Sequence, residues 1–448
     1  MAKGVTDRQI KEFRKAFESD SSAMVAQNAV SNADLSTLTL RRDLVQNMDF
    51  SFSTKLDEWS VTNQRRSGRC WLFATLNLFR VGAMKKMNVK DFEFSQAHIH
   101  FWDKLERANH FLEAILETSD RPVDDRTIHF LLSDPIGDGG QWNMAMNLIR
   151  KHGLVPMSAY PESHSSSSTR SMNGILKDIL RSTASEIRAI LEDGGSEKKA
   201  RSHKDSRMGE IWRILCIHLG TPPEKFDWQW RDKDKEFHRK GEMTPLEFVE
   251  EYVDVDWENY VCIVNDPRNE YYKTYTVDFL QNVAGGPPVV YLNVPSDEMK
   301  GVTQRLLEDG TPVWMGCDVG KHMARKKGLW DAELYDFKGL YGVDFGMEKA
   351  DRLRFGQTMM THAMLFTGVD VVDGSPRRWR VENSWGSDES GVKGFYTMND
   401  NWFDEHMFEI AAPRDYLTEE MTAGLDGEPV VLPAWDPMGS LARDEALY

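Results

Sequence analysis

Apolar residues recur at helical spacing through roughly the first 150 residues, and strand-length apolar runs dominate from about residue 288. TDRQIKEFRKAF opens with Thr6 followed by Gln9, a capping-box pattern, then Ile10, Phe13 and Phe17 on one helical face. Residues 67–83 predict a helix beginning near Ser67–Cys70, with Trp71, Leu72, Phe73, Leu76 and Phe79 inside it. Residues 95–117 predict a second, capped by Ser95 and lined by Phe101, Leu105, Ala108, Leu112 and Ile115. Asp138-Gly139-Gly140 reads as a turn, and the helical run WNMAMNLIRKHG after it can end at Gly153. SHSSSSTR (163–170) and LEDGGSEKKARSHKDSR (191–207) read as polar loops, within a middle of amphipathic helical patterns and weak strand signals. PVVYLNV, TPVWMGCDV, HAMLFTGVDVV and RRWRVENSWG follow as strands, with Asp373-Gly374 marking a hairpin between the last two. The tail from Pro413 has little periodicity and reads as an arm. Helices first, a polar middle and strands later predict an α+β chain with an insertion.

Composition narrows the function classes. At 448 residues, 40% hydrophobic and 28% charged, the chain suits globular folding in more than one domain. Its net charge of −16 argues against generic polyanion binding, which rewards clustered Lys and Arg. The basic runs EKKARSHKDSR (197–207) and RDKDKEFHRK (231–240) interleave acids and read as solvated surface. No window approaches the roughly 18 consecutive apolar residues of a membrane span, and MAKGVTDRQIKEFRKAF predicts no secretory leader. Cys70, Cys216, Cys262 and Cys317 have no regular spacing, which suits a reducing, cytoplasmic compartment. No cofactor is expected, and no metal: His98 and His100 are the nearest cluster, but an i, i+2 pair on a helix points to different faces.

The chemistry gathers around NQRRSGRCWLFATLN (63–77). A cysteine at a helix N-terminus gains thiolate character from the helix dipole, and its backbone N–H can face a developing oxyanion. Gln64, six residues earlier, offers a side-chain amide as a second donor. Twelve histidines compete for the role of base. His362 stands out because it begins the strand entering the Asp373-Gly374 hairpin, while Asn383 lies on the returning strand. An Asn383 amide oxygen bonded to one ring nitrogen would turn the other toward the thiol, and Trp385 could shield that bond from water. Cys216, Cys262 and Cys317 lack such surroundings and read as packing thiols.

Gln64, Gly68-Arg69-Cys70-Trp71, His362 and Asn383-Ser384-Trp385-Gly386 together resemble the papain-type cysteine peptidases. The usual papain spacing of about 130–150 residues from Cys to His is exceeded here, at 292 residues, and Arg69 precedes the cysteine. These departures are similar to the bleomycin hydrolase and bacterial aminopeptidase C family. So are FSQAHIHFWDKLERAN (94–109), DGGQWNM (138–144), YPES (160–163), WRVENSWG (379–386) and LPAWDPMGSLA (432–442). The resemblance implies a papain-like core, helical half plus β half, with helical and hook-like insertions and a C-terminal arm. On it, residues 1–54 form an N-terminal extension, 55–165 the helical half, 166–287 an inserted oligomerisation region, 288–412 the β half and 413–448 the arm. It implies a cytoplasmic aminopeptidase acting on peptides with a free N-terminus and assembling as a homohexamer. Cys70, His362, Asn383 and Gln64 would be catalytic. Gly139, Gly140, Gln141, Trp385 and Ala442 would contact substrate, although a DGG turn before a helix also has a purely structural explanation. Arg443 to Tyr448 continue past the end of the matching arm, which leaves endopeptidase activity on the same scaffold as the alternative. A nucleic-acid-binding role is a further, less favoured one.

Overall fold

The computed structural model describes residues 2–56, 59–387 and 391–442; the six residues after Ala442 singled out above lie outside these. The helix Cys70–Met87 runs through the middle of the molecule, with fourteen of its 18 residues buried. Such a helix, apolar on nearly every side, is stable only when surrounded. Gln96–Glu117, capped by the Ser95 side chain, and Trp142–His152, ended by Gly153 at φ +66°, pack beside it. Arg170–Glu192 and Glu197–Leu219 lie against the 96–117 helix around Leu112, Ile115, Leu176 and Leu215.

The second half is a twelve-stranded sheet. At its centre Met407–Pro413, Val313–Cys317, His362–Val372 and Ser375–Glu382 lie side by side, all antiparallel. Successive side chains of a strand face opposite ways. Accordingly Ala363, Leu365 and Trp314 join the core around the 70–87 helix, while Met364, Phe366, Val313 and Met315 face a second core that includes Val302 and Leu306. The 362–372 strand is thereby buried on both faces, and its first residue, His362, is held at the junction of the two halves. The hairpin turns at Asp373 and Gly374, with φ +51° and +81°, the positive values a tight two-residue turn requires.

Several expectations change. The loop expected over 191–207 shrinks to a short turn, because Ser196 caps a helix from Glu197 and Glu197 pairs with Arg201 one turn on. SHSSSSTR holds the short helix His164–Ser167, with Ser163 and Ser166 in a reciprocal capping box. Strands Tyr260–Val264 and Lys273–Val277 belong to the main sheet, earlier than the clearest strand signal. The tail contributes one short strand, Val430–Leu432, parallel to Lys273–Val277. Among the described residues no helix is long and apolar enough to cross a membrane.

Candidate active site

Cys70 is the first residue of the 70–87 helix; Arg69 precedes it as N-cap, without a side-chain capping bond to the helix. The turn leading into it is braced from within. The Gln64 Nε2 donates to the Ser67 carbonyl at 2.7 Å, and the Ser67 hydroxyl donates to the Gln64 carbonyl at 2.6 Å. Ser384 holds the other end of the amide, its hydroxyl donating to Gln64 Oε1 at 2.6 Å, while the Gln64 N–H donates to the Ser384 carbonyl at 2.8 Å. Asn63 forms a bridge with Trp385. The Gln64 turn is thus stitched to Asn383-Ser384-Trp385 across 320 residues of sequence.

His362 and Asn383 meet through the hairpin. Pairing Leu365 with Glu382 brings the next residue, Asn383, beside the start of the strand. The Asn383 Oδ1 lies 2.9 Å from His362 Nε2 and also accepts from the Ser384 N–H at 2.7 Å. The indole of Trp385 packs against the imidazole with ring centroids 5.1 Å apart. Gln64, Cys70, His362 and Asn383 are all buried. The structure therefore gathers the Gln64 turn, His362, Asn383 and Trp385 at the N-terminal end of the 70–87 helix, which Cys70 opens.

The last described residues of the tail pair with the segment before the 142–152 helix. The N–H of Gly140 donates to the Ala442 carbonyl, and that of Ala442 to the Gly140 carbonyl, each at 3.3 Å. Gln141 Nε2 donates to the Ser440 carbonyl at 2.6 Å, and the Ser440 hydroxyl to the Met360 carbonyl at 2.6 Å. Arg268 bonds Asp436 further back, at 2.7 Å. Gly140 has to be glycine: a Cβ there would stand 2.4 Å from the Trp71 ring.

Three buried charged residues hold the site together and escaped the sequence reading. Asp138 accepts from the Gly68 N–H at 3.1 Å and pairs with Lys104 at 2.7 Å, while its carbonyl accepts from Trp71 Nε1 at 2.7 Å. Burial opposes its ionisation, but Lys104, His100 and Thr169 outweigh that and hold its pKa well below the carboxylate range. Arg69, fully buried, makes a bidentate pair with Glu162 at 2.9 and 3.0 Å and donates to Ser67 Oγ at 2.9 Å. Glu382, next to Asn383, accepts from Arg80 at 2.9 Å, Asn77 at 3.0 Å and Trp59 at 2.6 Å, tying the hairpin to the central helix. The motif order offers a signal only for Asp138, which precedes the paired glycines.

Among the described residues no group of three His, Cys, Asp or Glu side chains is arranged to hold a metal. His98 Nε2 accepts from Trp102, and burial pushes its pKa down to about 3. Cys262 and Cys317 are buried and Cys216 partly so. Burial drives the Cys262 pKa well above its ordinary value, and its thiol donates to Asn143 Oδ1 at 2.7 Å.

Comparison with known proteins agrees with this geometry. Residues 4–439 match the model of the peptidase C1-like family, and the chain belongs to that family. It is 44% identical to bleomycin hydrolase of Mus musculus over 452 residues, covering 98% of this chain and 99% of that one. It is 41% identical to aminopeptidase C of Streptococcus thermophilus, covering 95% and 96% of the two chains. The crystal structure of PepW from Lactobacillus rhamnosis HN001 superposes with a TM-score of 0.96 at 40% identity, covering 99% of this chain and all of that one. The fold is the α+β, papain-like one, and the enzyme is a cysteine-type aminopeptidase.

Proposed function

We propose that the protein removes N-terminal residues from peptides by a thiol acyl-enzyme mechanism, with Cys70 as nucleophile, His362 as acid and base, Asn383 as orienter and Gln64 as oxyanion donor. The Cys70 thiolate attacks the first peptide carbonyl, and the oxyanion takes hydrogen bonds from the Cys70 N–H and the Gln64 amide. The C–N bond breaks as the His362 imidazolium protonates the leaving amine. His362 then takes a proton from water, the hydroxide attacks the thioester, and the released thiolate ends the cycle. Asn383 Oδ1, by accepting from Nε2, leaves Nδ1 for these transfers.

The observation that carries the exopeptidase reading is the pairing of Ala442 with Gly140. A substrate strand that would run past Gly140 toward its own N-terminus meets the arm instead. Only a short N-terminal portion then fits, and Gly139, Gly140, Gln141, Trp385 and Ala442 border it. Hydrolysis of free-amine peptides, with N-acetylated counterparts left intact, is the expected result; equal cleavage of both supports the endopeptidase alternative. Mass spectrometry of the purified protein reads whether its chain ends at Ala442 or at Tyr448.

The homohexamer implied by the family has support in the helix Asp7–Glu18, which buries none of its residues within the chain and leaves Ile10, Phe13 and Phe17 exposed. Light scattering on the purified protein tests it. Segments 1–54, 55–165, 166–287, 288–412 and 413–448 remain the proposed division of the chain. A cytoplasmic location fits four scattered cysteines and a reactive thiol, and fractionation of cells tests it.

A further inference from the structure

A cleft of about 1050 Å³ opens beside the segment that leads into His362, on walls that the mechanism does not use. Its lining includes Lys321, His322, Arg352, Gln357 and His406. Three atoms of these side chains are buried without a hydrogen-bond partner: Nδ1 of His322, Nδ1 of His406 and Nε of Arg352. All three are nitrogens. The Arg352 Nε–H can only donate, and an imidazole Nδ1 donates in one of its tautomers. His406 is 4% exposed, and its ring lies nearly parallel to that of His322, with centroids 5.9 Å apart. His322 holds a left-handed backbone, φ +46°, a costly conformation for a residue other than glycine. Arg352 gives Nη2 to the Glu405 carbonyl at 2.9 Å and to Glu405 Oε2 at 2.5 Å, which leaves Nε over.

We propose that this cleft binds a small oxyanion, the phosphate or carboxylate group of a free small molecule, held by Arg352 Nε, the two imidazole Nδ1 atoms and the Lys321 ammonium. The local field favours such a guest. Burial, then Arg352, His322, Lys349 and Lys321, push the His406 pKa down to about 2. Burial, Arg352 and Lys321 also depress that of His322, against the pull of Asp331 and Glu405. The acids of the cleft are already engaged: Glu333 pairs with Arg41, Asp344 with Lys338, Asp351 with Arg354 and Glu405 with Arg352. Asp336 caps its own helix, and Glu348 is exposed. Lys321 makes no ion pair among the described residues; Asp318, which it attracts from further off, is bonded to the Thr358 hydroxyl at 2.7 Å. A water could accept from two of the orphan nitrogens, but it leaves the positive charge unanswered. An oxyanion meets both needs, since hydrogen bonds between ionised partners are the stronger kind.

Isothermal titration of the full chain at fixed ionic strength tests this with two probes, inorganic phosphate and acetate, against sodium chloride as the reference salt. Saturable binding of at least one probe is expected, with a Kd of about 1–10 mM for so small a ligand. Binding of phosphate alone assigns the site to a phosphate group, and binding of acetate to a carboxylate. Lys321→Met removes the ammonium, and His322→Asn removes one imidazole while keeping a residue that tolerates a left-handed backbone. Each is expected to weaken binding about fivefold, the size of one partly exposed charged contact, in protein whose circular dichroism matches wild type. Heat that sodium chloride reproduces, the absence of saturable binding by either probe, or an affinity that neither variant weakens overturns the proposal.

Discussion

Replacing Gln64 by alanine separates catalysis from architecture, because the bonds by which the amide braces its turn can be weighed against the one it would give a transient oxyanion. The substitution removes the bond to the Ser67 carbonyl at 2.7 Å and the one from the Ser384 hydroxyl at 2.6 Å. At about 1 kcal/mol for each bond, and more for a buried Ser384 hydroxyl left unsatisfied, the stability cost is about 2–4 kcal/mol. The backbone bond between Gln64 and Ser384 is untouched, so the turn keeps its course. Losing one oxyanion donor costs about 10²–10³ in kcat. Ser384→Ala is the comparator: it removes the Ser384 hydroxyl that holds the amide but keeps the donor, with an expected loss of under about tenfold. Single-turnover acylation by an aminoacyl-aminomethylcoumarin, at a temperature where circular dichroism shows every variant folded, reads both. A folded Gln64→Ala protein within about threefold of wild type refutes the donor assignment. A Ser384→Ala protein as slow as Gln64→Ala would mean that the amide merely braces the turn.

Other perturbations test the surrounding charges. Glu162→Gln leaves Arg69 fully buried opposite a neutral amide with a single acceptor oxygen; removing one member of a buried pair costs about 3–5 kcal/mol. Because Glu162 is 27% exposed, about 2–3 kcal/mol is expected, read as a lower urea midpoint with reduced turnover. Burial pushes the Glu409 pKa from 4.5 to about 8, with the Cys262 thiol pulling it back in part. The folded state thus prefers the neutral acid; that advantage is complete below pH 4.5 and is lost as pH rises through 8. Glu409→Gln cannot ionise, so its melting temperature is expected to gain on wild type from pH 5 upward and level off above 8. A difference independent of pH sinks that account.

Local chemistry was legible wherever a motif acts through its immediate neighbours. Thr6 and Gln9 form the expected capping box, Ser95 caps its helix, Gly153 ends another, and Asp373-Gly374 makes the hairpin. The hairpin register is instructive. One irregularity adds a residue to one strand and a second adds one to its partner, so Leu365↔Glu382 keeps the register set at Val372↔Ser375. Because the two shifts cancel, the register set by the Asp373-Gly374 turn is what brings Asn383 to the start of the strand that His362 opens. Buried charge was the least legible. Arg69, Asp138 and Glu382 look like surface residues because their partners, Glu162, Lys104 and Arg80, lie elsewhere in the chain. The serine run 163–167 was misread for a related reason: poor intrinsic helix formers were rescued by reciprocal capping and by the Ser166 bond to Glu162 at 2.5 Å.

The central claim is that Cys70 is the nucleophile, and active-site titration with a peptidyl epoxide followed by peptide mapping addresses it most directly. The account predicts one label per active chain, on Cys70 alone, with loss of activity in step and no labelling of Cys70→Ser. Label on Cys216, Cys262 or Cys317, or full activity after Cys70 is modified, would contradict it.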